Sequence, residues 1–123
     1  MSKSILIYEN GGPEKMQLHD VEVGAPGPGQ VKIRHTAIGL NFIDVYTRSG
    51  LYPTPMPHAV GREAAGVIVA VGPKVRGFKK GDRVAYCGVL GAYCQERLMG
   101  VDQLVHVPNG VSDEQAAAIM LKG

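Results

Sequence analysis

Residues 64–71 (AAGVIVAV) are a nearly continuous apolar run that closes on Gly72-Pro73. The run reads as a buried strand, because it is short, rich in β-branched residues and bounded by chain-breaking residues. Downstream, Gly77 breaks the chain again, residues 83–87 and 92–98 read as further strands, and residues 104–107 close the set before Pro108-Asn109-Gly110. Upstream, residues 52–57 (YPTPMP) carry three prolines and read as a loop, since proline cannot serve a central ladder. Residues 31–37 alternate, with Val31, Ile33, His35 and Ala37 on one face and Lys32, Arg34 and Thr36 on the other. Residues 3–9 (KSILIYE) and 16–23 (MQLHDVEV) read as an antiparallel pair turned at Gly11-Gly12-Pro13, and Pro26-Gly27-Pro28-Gly29 is a strong turn.

Two helices interrupt this pattern. Asn41 is a good N-cap, Asp44 stands at the third helical position and Gly50 is a stop, so a short helix is expected between them. Asp44 and Arg48 are four residues apart, and an ion pair between them is expected. Ser112 and Gln115 form a capping box that opens an apolar helix over residues 115–121. That helix would stop after about two turns at Lys122-Gly123, which leads to the expectation of a truncated chain. Many short strands, glycine turns and few helices point to a mainly β domain: a small, partly open β-barrel with one short helix and the start of a C-terminal helix.

The composition narrows the function classes. Apolar residues make up 45% of the 123 residues and charged residues 20%, ordinary for one globular domain. Seventeen glycines and eight prolines punctuate the strands rather than forming a low-complexity tract. A net charge of +2 argues against nucleic acid or an anionic membrane as partner, and the basic cluster at Arg76, Lys79, Lys80 and Arg83 has no interleaved aromatics. No apolar run reaches the length of a membrane span, and Met1-Ser2-Lys3-Ser4 does not open a signal peptide. Cys87 and Cys94 match neither a redox pair nor half a zinc ribbon, and read as reduced thiols of a cytoplasmic protein.

Three spaced stretches resemble the medium-chain dehydrogenase/reductase superfamily, whose N-terminal domain is GroES-like. They are Gly61-Arg62-Glu63-Ala64-Ala65-Gly66-Val67-Ile68 with Val71-Gly72; Val75-x-Gly77-Phe78-Lys79-x-Gly81-Asp82-Arg83-Val84; and Gly91-Ala92-Tyr93-Cys94-Gln95-Glu96. Residues 39–46 (GLNFIDVY) and 48–53 (RSGLYP), with Gly11-Gly12-Pro13-Glu14 and Ala116-Ala117-Ala118-x-x-Leu121-Lys122-Gly123, are similar to the NADPH:quinone oxidoreductase (zeta-crystallin-like) branch. The resemblance covers essentially the whole chain.

It implies hydride transfer from NADPH to a quinone without zinc. Zinc-dependent members carry a Cys-His pair where this sequence has Asn41-Phe42, and a His where it has Arg62. Zinc requires thiolate, imidazole or carboxylate ligands, which asparagine and phenylalanine do not supply, and a permanent cation at the third place repels the metal. Quinones need little polarisation, so protein groups would position rings rather than activate a leaving group.

The resemblance further implies that Asn41, Phe42, Asp44 and Tyr46 bind the cofactor and that Tyr46 and Tyr52 line the reaction pocket. Read from the residues alone, Asn41 is a helix cap and each tyrosine is a half-buried ring with a wet hydroxyl; capping and cofactor contact are compatible for Asn41. Arg62-Glu63 reads as structural, His35 as a satisfied core histidine, and His58 as lying near the site.

No glycine-rich dinucleotide-binding turn occurs in the sequence, so the Rossmann domain that holds NADPH phosphates in this superfamily is expected beyond Gly123. The segment alone is then expected to bind NADPH weakly or not at all, and the complete protein to form a homodimer through its Rossmann domains. Two alternatives stay open: a stand-alone GroES-like binding or assembly module, and a reductase of enone or alkenal double bonds.

Overall fold

Side chains of Gln30–Ile38, Glu63–Val71 and Arg83–Cys87 meet in the main core, where Val31, Ile33, Ala64, Ile68, Val84 and Tyr86 are at most 1% exposed. The computed structural model describes residues 2–120. In chain order they form strands β1 (Ser2–Ile7), β2 (Gln17–Val21) and β3 (Gln30–Ile38), helix α1 (Phe42–Ser49), and strands β4 (His58–Ala59), β5 (Glu63–Val71), β6 (Arg83–Cys87), β7 (Glu96–Gly100) and β8 (Val105–His106). Helix α2 (Asp113–Ile119) follows. All pairings are antiparallel, in a five-stranded sheet ordered β7-β3-β5-β6-β8 and a three-stranded sheet ordered β2-β1-β4.

The central strand β5 lacks a polar face because both of its sides are covered. Ala64 and Ile68 face the main core, while Ala65 and Ala85 pack under Ala116 and Ala117 of α2. Small side chains on both partners let the helix lie close to the sheet. Asp113 anchors its first turn, with Oδ1 accepting from Arg83 Nε and Nη2 at 3.0 and 2.8 Å and Oδ2 accepting from Thr36 Oγ1 at 2.7 Å. The Ser112 capping box forms as the sequence indicates, through Gln115 N to Ser112 Oγ at 3.1 Å and Ser112 N to Gln115 Oε1 at 3.0 Å. The expected far end of this helix at Leu121 lies outside the described residues.

The expected partly open barrel is built as two sheets stitched together. Residues 93–95, expected within one strand over 92–98, instead cross between the sheets: Ile5 N donates to Tyr93 O at 2.9 Å, Gln95 N to Lys3 O at 2.9 Å, and His35 N to Gln95 O at 2.8 Å. Only from Glu96 does the chain join β3 as β7. The short strand β4, pairing with β1 directly after the proline loop, was not expected. His35 is a satisfied histidine, with Nδ1 donating to Cys94 O at 2.8 Å and Nε2 accepting from Tyr86 Oη at 2.9 Å.

Candidate functional site

The chain leaving β3 is pressed against the start of β5. Gly39 N donates to Glu63 O at 2.8 Å, and a Cβ on Gly39 would stand 2.5 Å from Ala117 O and 2.7 Å from Glu63 Oε2, so no side chain fits there. Two residues on, Asn41 Nδ2 donates to Glu63 Oε2 at 2.8 Å. The amide nitrogen of Asn41 is thereby turned toward Glu63. Glu63 itself is 1% exposed. Beside the pair opens a cleft of about 280 Å³, lined in part by Ile38, Leu40, Ala117 and Ala118.

Asn41 occupies the N-cap position of α1 as expected and a capping box closes the first turn, Asp44 Oδ2 accepting from Asn41 N at 3.1 Å, while Gly50 ends the helix with φ 95°.

Helix α1 has two distinct faces. Phe42 and Tyr46, one turn apart, are 72% and 38% exposed, whereas Asp44 and Thr47 are buried. Tyr46 and Tyr52 meet edge to face, with centroids 5.8 Å apart and planes at 82°, and Tyr52 N donates to Tyr46 O at 3.3 Å. The two tyrosines singled out from the sequence are therefore brought together, on the same helix face as Phe42.

Asp44 is not on that face. Its Oδ2 accepts from Tyr93 Oη at 2.8 Å, its Oδ1 has no hydrogen-bond partner among the described residues, and the whole residue is 3% exposed. Burial, reinforced by donation to Asp44, pushes the Tyr93 hydroxyl well above its ordinary range. The expected Asp44–Arg48 ion pair is absent: Asp44 turns inward to Tyr93, while Arg48 Nε donates to Gly11 O at 3.2 Å and ties the first turn to the end of α1. Arg62 also reaches beneath the helix, donating to Thr47 Oγ1 at 3.3 Å. His58 is buried in β4, with Nδ1 on Ala59 O at 3.0 Å.

Glu63, read from the sequence as structural, is buried at the start of β5, where it accepts from Asn41 and borders the cleft. Among the described residues, no three His, Cys, Asp or Glu side chains converge as metal ligands. Burial pushes the Cys94 thiol up, and Cys87 is half-buried.

Residues 27–118 match the alcohol dehydrogenase GroES-like domain. The chain belongs to this family. Among relatives of this GroES-like domain, a quinone oxidoreductase of Pseudomonas aeruginosa is 52% identical, and the match covers 100% of this chain and 38% of the relative. A 2-haloacrylate reductase of Burkholderia sp. is 46% identical, over 100% of this chain and 39% of the relative. The crystal structure of the Escherichia coli quinone oxidoreductase complexed with NADPH superposes with a TM-score of 0.92 at 42% identity, covering 98% of this chain and 37% of that one. The GroES-like domain therefore spans less than two-fifths of the relatives it matches. Among the described residues, no helix is long and apolar enough to cross a membrane.

Proposed function

We propose that this GroES-like domain is the nicotinamide- and acceptor-facing half of a zinc-independent oxidoreductase that reduces quinones with NADPH. The observation that carries the reading is the exposed aromatic face of Phe42, Tyr46 and Tyr52 beside the Asn41 amide, whose nitrogen is bonded to Glu63. These groups suit the nicotinamide end of a dinucleotide. Asn41 offers an amide, and the rings offer flat apolar surface with hydroxyls at the edge. The quinone oxidoreductase relatives, one of them solved with NADPH, support the same assignment.

When bound, NADPH supplies the hydride. Asn41 holds the nicotinamide end through its amide. Phe42 and exposed Leu40 keep water from the rings. The Tyr46 and Tyr52 hydroxyls hydrogen-bond the cofactor or acceptor and set the distance between the two rings, which is where an uncharged site gains rate. Asp44, expected in direct contact with the cofactor, acts from behind this face by holding the Asn41 backbone and Tyr93. With Asn41, Phe42 and Arg62 at the three positions where zinc-dependent members carry ligands, zinc has no part in the reading. The phosphates are assigned to a Rossmann domain elsewhere in the polypeptide, and the complete protein to a cytoplasmic homodimer.

The test is NADPH oxidation by the complete protein with a simple quinone, compared with the same assay on this 123-residue chain. Turnover by the first and none by the second supports the reading. Turnover by this chain alone sinks it.

A second reading keeps the site and changes the acceptor to an activated double bond. The 2-haloacrylate reductase relative favours it. Comparing kcat/KM for quinones and for electron-poor alkenes with the complete protein separates the two, and a strong preference for the alkene selects the second.

A further inference from the structure

We infer that Tyr93 is a positioning residue for the aromatic face of α1, holding the first turn of the helix through Asp44. The inference rests on the proposed role of that face, Tyr46 included, and adds a group that sets where the face stands. Tyr93 is held at three points. Its backbone is laced into the crossing between the sheets, with Tyr93 N donating to Val60 O at 2.8 Å and Ile5 N donating to Tyr93 O at 2.9 Å. Its ring lies against Gly61, where a Cβ would stand 2.3 Å from Tyr93 Cδ1, so no side chain fits between strand and ring. Its hydroxyl donates to Asp44 Oδ2 at 2.8 Å. The same oxygen accepts from Asn41 N at 3.1 Å, so one atom joins the start of α1 to the Tyr93 strut. At the far end of the helix, Arg48 Nε donates to Gly11 O at 3.2 Å and Gly11 N to Arg48 O at 3.1 Å. Phe42 and Tyr46 lie between these two anchors on the exposed side. Without the Tyr93 hydroxyl, Asp44 keeps the Asn41 N–H at Oδ2, while its Oδ1 has no hydrogen-bond partner among the described residues. A carboxyl group that is 3% exposed and short of donors is costly to bury, and turning it outward carries the first turn with it. The Tyr93 ring also borders an apolar cleft with Ile38 and Leu40, so the test removes the hydroxyl alone.

The experiment is a double-mutant cycle on the complete protein, reading kcat/KM for a simple quinone with NADPH in wild type, Tyr93→Phe, Tyr46→Phe and the double variant. Tyr93→Phe is expected to lower kcat/KM about tenfold, through misplacement of groups that act by their position. The loss that Tyr46→Phe causes in wild type is expected to shrink to near none in the Tyr93→Phe background, because the hydroxyl it removes is already out of place. Additive losses overturn the inference, since lost stability or a direct contact of the Tyr93 hydroxyl with a ligand produces them. Unchanged kcat/KM in Tyr93→Phe overturns it as well. A Tyr46→Phe variant with wild-type kinetics would instead remove the role of Tyr46 on which the inference rests, and absence of turnover in wild type would sink the functional reading and the inference with it. Should Tyr93→Phe fail to fold, amide exchange in wild type decides. Addition of NADPH is expected to slow exchange over residues 42–45 and 91–95 together, and slowing in α1 without 91–95 counts against the inference.

Discussion

Asn41 Nδ2 donates to Glu63 Oε2 across 2.8 Å, joining the first residue before α1 to the first residue of β5. The bond is possible only because the backbone at Gly39 approaches the strand without a side chain between them.

Gly39→Ala should therefore destabilise the domain by about 1–3 kcal/mol, the usual cost of forcing a methyl into a filled space. The nearest obstacle is a backbone oxygen of α2, which cannot rotate aside as a side chain would. Urea denaturation checks it. A wild-type midpoint would mean that α2 yields easily.

Tyr46→Phe and Tyr52→Phe keep the edge-to-face contact and remove only hydroxyls from a half-exposed surface, so stability should hardly change. In the complete protein, each should lower kcat/KM for the acceptor about two- to tenfold, the worth of a single neutral hydrogen bond. Unchanged kinetics in both variants would remove the tyrosine hydroxyls from the site.

Arg97 Nη1 donates to Tyr86 Oη at 3.2 Å, Tyr86 to His35 Nε2, and His35 Nδ1 to Cys94 O, a directional chain that requires neutral His35. Burial holds the His35 pKa below its ordinary value, and the nearby Arg97 cation also lowers it against the carbonyl of Cys94, which favours the charged form. Burial also pushes Tyr86 up to about 12. The folded state thus binds a proton at His35 less readily than the unfolded state. Its contribution is complete above about pH 6.5 and lost as pH falls below that value toward the folded-state pKa. Denaturation midpoints should fall between about pH 6.5 and pH 5 in wild type, and fall less in His35→Gln. Parallel pH profiles would contradict this.

Asp113→Ala removes the bidentate partner of Arg83 and the acceptor of Thr36, leaving a half-buried guanidinium short of hydrogen bonds. A loss of about 1–3 kcal/mol is expected, with faster amide exchange concentrated in α2. The Asp113 carboxyl is held below its usual range, first by Thr36 and then by Arg83, so its contribution is present above about pH 4 and lost as pH falls further.

Much of the fold was legible in the chain. The apolar run at 64–71, the glycine and proline stops, and the capping signals at Asn41, Gly50 and Ser112 located the central strand and both helices. These are local signals, and local rules read them. What failed was decided by distant partners. Asp44 and Arg48 satisfy the helical spacing for an ion pair, but Tyr93, 49 residues on, takes the carboxylate instead. Asn41 caps α1 as its residue type indicates, but the reach of its amide nitrogen to Glu63, 22 residues on, had no local signal. Residues 93–95 had the pattern of a strand and became a stitch between sheets, because β1 offers them free backbone groups. The tyrosine pair was legible only through the family resemblance, since a proline loop gives no spacing rule that brings Tyr52 back to Tyr46.

The most direct test of the proposed nicotinamide-facing site is the NADPH dissociation constant of the complete protein with and without Asn41→Ala, measured together with turnover of a simple quinone. The expected result is quinone-dependent NADPH oxidation in wild type and weaker NADPH binding in the variant. Equal affinity in the two proteins, or no quinone-dependent oxidation in wild type, would contradict it.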